Sequence, residues 1–248
     1  MSNHWFRFKQ FTIQQDRCAM KVGTDAVLLG AWCSVDGRRR ILDVGTGTGI
    51  IALMTAQRNA SAHITAIDID RDSVVQATEN VHSSPFADRV EVQEADFATY
   101  SPERPFDLIV SNPPFYEEEV FCPDGQRNSA RHTSSLRFDV LISRADALLD
   151  SEGAFAVIIP TKETAGFISL CAETRLYLHR RTDIHTTPRR QPKRTMLEFT
   201  KIPKETIYTN LYMRDEDNSF SEEYLSLTKD FYLSFGSLHI DFHNDFNL

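Results

Sequence analysis

The chain has 248 residues, and its 27 Lys and Arg against 35 Asp and Glu give a formal net charge of −8. Its 41% hydrophobic and 25% charged residues are typical of a globular protein and exclude a disordered or fibrous chain. No apolar stretch approaches the ~20 residues of a membrane helix, and the first residues lack the pattern of a secretory signal. The four cysteines form no Cys-x-x-Cys pair or Cys/His cluster, so we expect a cytoplasmic protein without a metal site. The acidic balance argues against a uniformly basic surface, although it leaves room for one local basic face.

Short apolar runs alternate with helical segments along most of the chain. The runs predict buried strands at Arg40–Val44, His63–Asp68, Val90–Glu94, Phe106–Ser111 and Ala154–Pro160. The segments between and after them predict helices over Gly49–Arg58, Arg71–His82, Leu136–Leu149 and Lys162–Glu173. Two more strands, Tyr177–Thr187 and Thr195–Lys201, favour an antiparallel hairpin at the sheet edge. Such a repetition indicates parallel strands with right-handed crossovers, and therefore a doubly wound α/β sheet covered on both faces.

Two segments lie outside this core. Residues 1–38 carry an alternating apolar stretch and then an apolar helix, predicted over Thr24–Trp32. In residues 203–248, the spacing of Ser219 and Glu222 resembles a capping box and favours a helix through Tyr232. Because no Pro/Gly-rich linker occurs, we predict a single domain with an N-terminal extension (1–38), a core (39–202) and a C-terminal appendage (203–248).

A glycine-rich turn, Gly45-Thr46-Gly47-Thr48-Gly49, connects the first core strand to the following helix. Glycines allow a backbone to approach a ligand closely, and the start of a helix presents unpaired N–H groups. The spacing is neither that of the dinucleotide fingerprint nor that of a P-loop. Asp43, just before the turn, would repel a pyrophosphate and attract an ammonium group. The alternative is a purely structural strand–helix turn.

An acidic residue ends the second core strand, and another follows the third. In nucleotide-binding α/β folds, an acid at the position of Asp68 accepts hydrogen bonds from both ribose hydroxyls. Asp70 is better interpreted as the N-cap of the next helix. Asp96 is suited to accept the exocyclic amine of an adenine, with Phe97 covering the ring. The alternative is a turn-forming Asp followed by a core Phe.

The fourth core strand ends in Asn112-Pro113-Pro114-Phe115. Two consecutive prolines cannot donate backbone hydrogen bonds, so the segment must leave the sheet with a stiff geometry. The Asn side-chain oxygen and the proline carbonyls remain available as acceptors, and an aromatic ring follows them. This combination suits a flat ring that bears an amino group; a rigid loop with a buried Phe is the alternative.

Together, Asp43-x-Gly45-x-Gly47-x-Gly49, Asp68, Asp96 and Ser111–Phe115 resemble the class I S-adenosylmethionine-dependent methyltransferases that modify amino groups. The N-terminal block Phe11–Trp32 is similar to that of the bacterial tRNA1(Val) adenine-37 N6-methyltransferase family. The resemblance spans roughly residues 5–200. It implies a seven-stranded, mostly parallel Rossmann-like sheet, S-adenosyl-L-methionine as cofactor and tRNA as substrate.

The resemblance also implies positions for several side chains. The N-terminal block would lie beside the methionine end of the cofactor, which makes pocket candidates of Lys21, Gly23, Thr24 and Asp25. The residues themselves indicate only that Thr24 is suited to cap the helix that follows it. Asn112 and the Pro113 carbonyl would orient the target amine for direct attack on the methyl group, with Pro114 stiffening the segment and Phe115 stacking on the base. No general base is nominated, since the sulfonium is already activated.

The densest basic cluster of the chain lies around the predicted terminal hairpin, in Arg180, Arg181, Arg189, Arg190, Lys193 and Arg194. Six cations within fifteen residues of an acidic chain predict an edge that binds RNA phosphates. The alternative is a solvated hairpin tip. Arg127 and Arg131, in the loop after Phe115, are further candidates for a flanking phosphate.

Other functions stay open at this point. The Asn-Pro-Pro-aromatic motif also serves enzymes that methylate DNA adenine, ribosomal RNA guanine or protein glutamine, and the residues do not separate RNA from DNA. From other classes, a nicotinamide dehydrogenase or a non-catalytic cofactor-binding protein is conceivable. The glycine spacing and Asp43 argue against the dehydrogenase. We expect a monomer.

Overall fold

The computed structural model describes residues 4–18, 21–114 and 136–233. Ten strands are present in this part of the chain: β1 (Trp5–Arg7), β2 (Thr12–Gln14), β3 (Arg40–Val44), β4 (His63–Asp68), β5 (Val90–Glu94), β6 (Phe106–Ser111), β7 (Leu149–Pro160), β8 (Tyr177–His185), β9 (Arg194–Thr200) and β10 (Ile207–Tyr212). The first two form a small antiparallel hairpin, and the other eight form one sheet.

Six α-helices occur in the same ranges: α1 (Thr24–Trp32), α2 (Ile50–Arg58), α3 (Arg71–His82), α4 (Phe138–Leu148), α5 (Thr164–Cys171) and α6 (Glu222–Thr228). A 3-10 turn, Thr161–Glu163, precedes α5. The predicted helix over Leu136–Leu149 is therefore slightly too long, because Leu149 already belongs to β7.

The strand order of the large sheet is β5-β4-β3-β6-β7-β9-β8-β10. Only β9 runs against the others: it is antiparallel to β7 and β8, and all other pairs in this sheet are parallel. This arrangement confirms the doubly wound α/β prediction. From β3 the chain proceeds to β4 on one side and later to β6 on the other, so the strand order reverses between β3 and β6. Ligands of open α/β sheets bind at the carboxyl ends of the strands beside such a switch point.

The sheet has eight strands, whereas seven were expected. The additional strand, β10, lies parallel to β8 at the edge, with Ile207 opposite Arg180 and Tyr212 opposite His185. Its first four residues are exposed and Leu211 is buried. A solvated edge strand needs no apolar run, so hydrophobic pattern alone does not predict β10.

Two apolar layers cover the sheet, and neighbouring residues of a strand contribute to opposite layers, as Ile41 and Leu42 do. One layer is formed largely by α1, α2 and the aromatic residues of the N-terminal hairpin. The other is formed largely by α4 and α5. No helix in residues 4–18, 21–114 and 136–233 has the length and apolar character needed to cross a membrane.

Both terminal segments pack on this core and on each other. Phe8 forms an antiparallel bridge with Tyr232, and the Lys9 amide donates to the Phe231 carbonyl at 2.7 Å. The predicted C-terminal helix is shorter than expected, and Ser219 is not its cap. Ser221 caps α6 instead, since its hydroxyl oxygen accepts from the Tyr224 amide at 3.1 Å.

Candidate active site at the carboxyl edge

Three of the predicted motifs meet at one edge of the sheet. Val44, at the end of β3, lies opposite Ile67 of β4 and opposite Ser111 of β6. The glycine turn and Asn112 follow the carboxyl ends of β3 and β6, and Asp68 is the last residue of β4, so all three lie at the carboxyl ends of adjacent strands. The Ser111 hydroxyl also donates to the Val44 carbonyl at 3.0 Å, which joins β6 to β3 at this level.

The glycine turn has a geometry that disfavours other residues. Gly45, Gly47 and Gly49 have φ angles of 70°, 55° and 83°, in the left-handed region. A Cβ on Gly45 or Gly47 would meet no atom within 4 Å, whereas one on Gly49 would approach the Ala77 Cβ to 3.3 Å. Gly49 thus also permits close packing on α3. Above Gly45 and Gly47 the described chain leaves open space.

Asp43 lies beneath this turn with only 1% of its surface exposed. Its Oδ2 accepts from the Thr46 hydroxyl at 2.6 Å and from the Ala52 amide at 3.1 Å. Its Oδ1 is buried and has no hydrogen-bond partner among the residues described. Burial raises the pKa of this carboxyl to about 7, against the two hydrogen bonds that favour its charged form. One oxygen therefore organises the turn, and the other is left to accept from a ligand.

Asp68 is hydrogen-bonded to the same turn. Its Oδ2 accepts from the Gly47 amide at 2.8 Å, and its Oδ1 accepts from the Asp70 amide at 3.0 Å. Burial raises the pKa of this carboxyl above its ordinary value. Each oxygen has a second lone pair, so the carboxylate can still accept from two hydroxyls. Asp70 caps α3, as predicted, by accepting from the Ser73 amide at 3.0 Å.

Asp96 and Phe97 occupy different environments. The Ala95 amide donates to the Asp68 carbonyl at 2.9 Å, which brings the segment after β5 next to Asp68. Asp96 is exposed and accepts from the Ala98 amide at 2.9 Å, as in a local turn. The Phe97 side chain is 4% exposed and belongs to the second apolar layer. Its position agrees with the alternative of a core Phe.

The Asn-Pro-Pro segment continues directly from β6. Asn112 is half-buried, Pro113 is buried and Pro114 is exposed. Phe115, Arg127 and Arg131 lie outside the described residues.

The start of α1 shows one difference from expectation. Gly23, rather than Thr24, is the N-cap residue, and Thr24 is the first helical residue. The buried Thr24 hydroxyl has no partner within the described ranges. The Asp25 carboxylate accepts from the Arg194 Nε at 2.7 Å, a contact that no local pattern indicates. Lys21 is exposed.

Four arginines of the basic cluster form ion pairs with carboxylates. The pairs are Arg180–Glu198 at 3.5 Å, Arg181–Asp183 at 2.9 Å, Arg189–Glu216 at 3.0 Å and Arg194–Asp25 at 2.7 Å. Only the Arg189–Glu216 pair is largely exposed. Because three of these guanidinium groups are partly buried in the fold, the exposed charge of the cluster is concentrated in Arg189, Arg190 and Lys193.

Over residues 19–168 the chain matches the family model described as the methyltransferase small domain. A tRNA1(Val) (adenine(37)-N6)-methyltransferase of Phocaeicola vulgatus is 49% identical over 234 residues, which cover 94% of this chain and 100% of that protein. A protein of the same name from Escherichia fergusonii is 42% identical over 231 residues, covering 92% of this chain and 94% of that protein.

Two solved structures share the fold. A protein of Agrobacterium tumefaciens, described as a predicted O-methyltransferase, has a TM-score of 0.68 at 23% identity and covers 84% of this chain and 96% of that one. The ribosomal protein L11 methylase of Lactobacillus delbrueckii subsp. bulgaricus has a TM-score of 0.54 at 19% identity, over 76% of this chain and 83% of that one. The chain matches the methyltransferase small domain and is 42–49% identical to these relatives over nearly their whole length. It therefore belongs to the family of tRNA1(Val) (adenine(37)-N6)-methyltransferases.

Proposed function

We propose that the protein transfers a methyl group from S-adenosyl-L-methionine to the N6 amine of an adenine in tRNA, adenine 37 of tRNA1(Val). The observation that carries the proposal is the convergence of the glycine turn, Asp68 and Asn112 on the adjacent strands β3, β4 and β6. The names of the relatives support both the reaction and the substrate.

The residues of the edge fit the proposed cofactor. S-adenosylmethionine supplies a methyl group activated by a positively charged sulfur. The buried, unpartnered Oδ1 of Asp43 suits the ammonium group of the methionine moiety, and the two oxygens of Asp68 suit the ribose diol. Open space above Gly45 and Gly47 allows the backbone to approach a ligand closely. Thr24 and Lys21, from the N-terminal block, are further candidates for the methionine end, and Asp96 is the candidate for the adenine amine.

The segment after β6 suits an amino group as the methyl acceptor. The Asn112 side-chain oxygen and the Pro113 carbonyl would accept hydrogen bonds from the two amine hydrogens and direct the nitrogen lone pair towards the methyl. Two prolines stiffen the segment, so the acceptors are held in position before the base arrives. Phe115 is the candidate for stacking on the base. Such positioning can account for several kcal/mol of the barrier reduction without a general base.

An adenine within a structured RNA must be turned out to reach this edge, which costs less in a loop than in a duplex. The exposed cations of the segment 186–193, which follows the carboxyl end of β8, would hold the flanking phosphates. Arg127 and Arg131 remain candidates for the same role.

The test is methylation of an unmodified tRNA1(Val) transcript by the full chain with labelled cofactor. Nuclease digestion and mass spectrometry should identify N6-methyladenosine next to the anticodon, and a transcript with guanine at that position should remain unlabelled. Label found only in genomic DNA or in protein would contradict the tRNA substrate. Asn112→Ala should lower the single-turnover rate by about 100-fold at saturating substrate and leave cofactor affinity nearly unchanged, because its contact matters most in the transition state.

A further inference from the structure

We propose that a raised basic rim, formed by Lys162, Lys193, Arg190 and Arg189, binds the RNA backbone beside the candidate catalytic segment, and that Glu216 limits it at the far end. The inference rests on the proposed function, since it assigns the surface that receives the phosphates around the target base. Lys162 is not part of the basic cluster in the sequence. The topology of the sheet brings it there.

The rim stands beyond the carboxyl end of β6, from which the Asn-Pro-Pro segment continues. Ser111, the last residue of β6, lies opposite Val157 of β7, and β7 continues for three residues to Pro160. At ~3.3 Å per residue, β7 therefore extends about 10 Å beyond the end of its neighbour. Pro160 is opposite Arg194, which is opposite Ile184, so β9 and β8 reach a similar height. The three strands form a wall on one side of the candidate site.

Hydrogen bonds make the top of this wall continuous. The Thr161 amide donates to the Lys193 carbonyl at 3.0 Å, and the Lys193 amide donates to the Ile184 carbonyl at 3.3 Å. The His185 Nδ1 lies 2.8 Å from the Arg190 carbonyl. The 3-10 turn that carries Lys162 and the segment that carries Arg190 are thus held next to each other.

The four cations of the rim have exposed side chains. Glu163, next to Lys162, is exposed as well. A 3-10 turn has three residues per turn, so the side chains of these neighbours point about 120° apart. The two side chains form no ion pair in the described structure, so Glu163 lowers the local positive charge without pairing with Lys162.

An acidic segment bounds the other end of the rim. The carboxylate of Glu216 lies 3.0 Å from the Arg189 guanidinium, and both side chains are largely exposed. Asp215 and Asp217 on either side are exposed too. This segment follows β10, whose carboxyl end lies at the same edge of the sheet. A phosphate must compete with Glu216 for Arg189, and the three acids repel a strand that extends further.

RNA is the partner that this arrangement suits. When a base enters the site, the phosphates on either side of it stay outside. The ends of β7, β8 and β9 lie beside the site, where their cations could contact these phosphates. Each phosphate neutralised by a cation releases counterions, so every rim cation contributes to the salt dependence of binding. If the rim cations did not contact RNA, removal of one of them would leave the salt dependence of tRNA binding unchanged.

The experiment compares Lys162→Ala with Lys204→Ala in the full chain. Lys204 is an exposed lysine that follows β9 and therefore lies at the opposite edge of the sheet. Binding of the tRNA transcript is measured by fluorescence anisotropy at several salt concentrations, and KM and kcat are measured separately. We expect Lys162→Ala to raise Kd and KM for tRNA by roughly 3- to 10-fold with kcat unchanged, and to reduce the log–log salt slope by about 0.7–0.9. Lys162→Arg keeps the positive charge and should therefore return Kd, KM and the salt slope close to their wild-type values.

Glu216→Gln tests the boundary in the opposite direction. It should tighten tRNA binding by roughly 2- to 5-fold, the scale of an exposed ion pair, and steepen the salt slope. Equal Kd, KM and salt slope for Lys162→Ala and Lys204→Ala would overturn the rim, and weaker or unchanged binding by Glu216→Gln would overturn its boundary. Failure of the proposed function appears differently, because the wild-type protein would then transfer no methyl group from the cofactor to tRNA.

Discussion

At the scale of single residues, Asp43 combines a structural and a chemical role. Its Oδ2 holds the hydroxyl of Thr46 and the first turn of α2, while Oδ1 is left without a partner in the described structure. Burying a carboxylate costs free energy unless hydrogen bonds or an opposite charge compensate. The protein supplies that compensation at Oδ2, and the proposed ammonium group of the cofactor would supply it at Oδ1.

This arrangement predicts a specific pH dependence of stability. The pKa of Asp43 is about 7 in the folded protein against an ordinary value of 3.8, so the folded state holds a proton that the unfolded state releases. The stabilisation from this group is complete below pH 3.8 and is lost as the pH rises to about 7, at roughly 1.4 kcal/mol per pKa unit. Asp43→Asn retains an acceptor oxygen for both hydrogen bonds and cannot ionise. Urea denaturation at several pH values should show a flatter profile for this variant, and parallel profiles would contradict the assignment.

Asp68 gives the second prediction at this scale. Asp68→Ala should weaken cofactor binding by about 1.5–3 kcal/mol, the scale of hydrogen bonds to a charged group. The same change also removes the acceptor for the Gly47 amide, so the turn itself should loosen. Asp68→Asn separates the two effects, since it keeps one acceptor oxygen for the turn but removes the charge. Calorimetry on the folded variants measures the affinity, and wild-type affinity in both would exclude a ribose-binding role.

At the scale of elements, the hairpin of β8 and β9 carries two kinds of basic residue. Arg180 lies within β8 and its guanidinium packs 4.0 Å from the Trp32 ring. It also donates to the Ser34 hydroxyl at 2.8 Å and pairs with Glu198, whose side chain is 2% exposed. These contacts join the C-terminal end of α1 to the sheet. Arg190, in contrast, is exposed in the segment after β8.

Arg180→Ala and Arg190→Ala should therefore have different consequences. Among the described residues, loss of Arg180 leaves the buried Glu198 carboxylate with hydrogen bonds from Ser34 alone, whose amide and hydroxyl donate to it at 3.0 and 2.8 Å. Because the Arg180 side chain is 26% exposed, we expect a loss of about 2 kcal/mol of unfolding free energy, below the range for fully buried pairs. Chemical denaturation should show near wild-type stability for Arg190→Ala, and tRNA titrations should show an altered salt slope for that variant alone. Equal stability of the two variants would refute the anchoring role of Arg180.

At the scale of the whole molecule, the two ends of the described chain are joined. Phe8 is 1% exposed, and its ring centroid lies 4.8 Å from that of Phe6, 4.9 Å from that of Phe11 and 5.9 Å from that of Tyr232. The N-terminal hairpin thus shares one apolar layer with the segment that follows α6. The extension and the appendage depend on each other for burial.

Phe8→Ala should accordingly lower the unfolding free energy by about 3–5 kcal/mol, the usual cost of removing a buried aromatic ring. Phe8→Leu fills much of the same volume and should cost less than half of that. The denaturant midpoint at an unchanged m-value measures both. A cost below about 1 kcal/mol for the alanine variant would mean that the two terminal segments do not stabilise each other.

Local sequence pattern predicts much of this protein. The doubly wound sheet follows from the repeated alternation of apolar runs and helices, and the positions of Asp43, Asp68 and Asn112 follow from their places at strand ends. Parallel strands all present their carboxyl ends at one edge, so motifs distant in sequence are expected to converge there. The hairpin of β8 and β9 was predictable for a different reason: only a short segment separates the two strands, and antiparallel neighbours need no crossover helix.

Pairing between distant residues was not predictable in this way. Nothing near Arg194 or Arg180 in the sequence indicates that Asp25 or Glu198 will neutralise them, and nothing near Lys162 indicates that it will stand beside Lys193. Hydrophobic periodicity reports which face of an element is buried, but an ion pair depends on which elements become neighbours and in what register. Those neighbours are chosen by packing over the whole sheet, and so the charge at this edge is a property of the folded molecule.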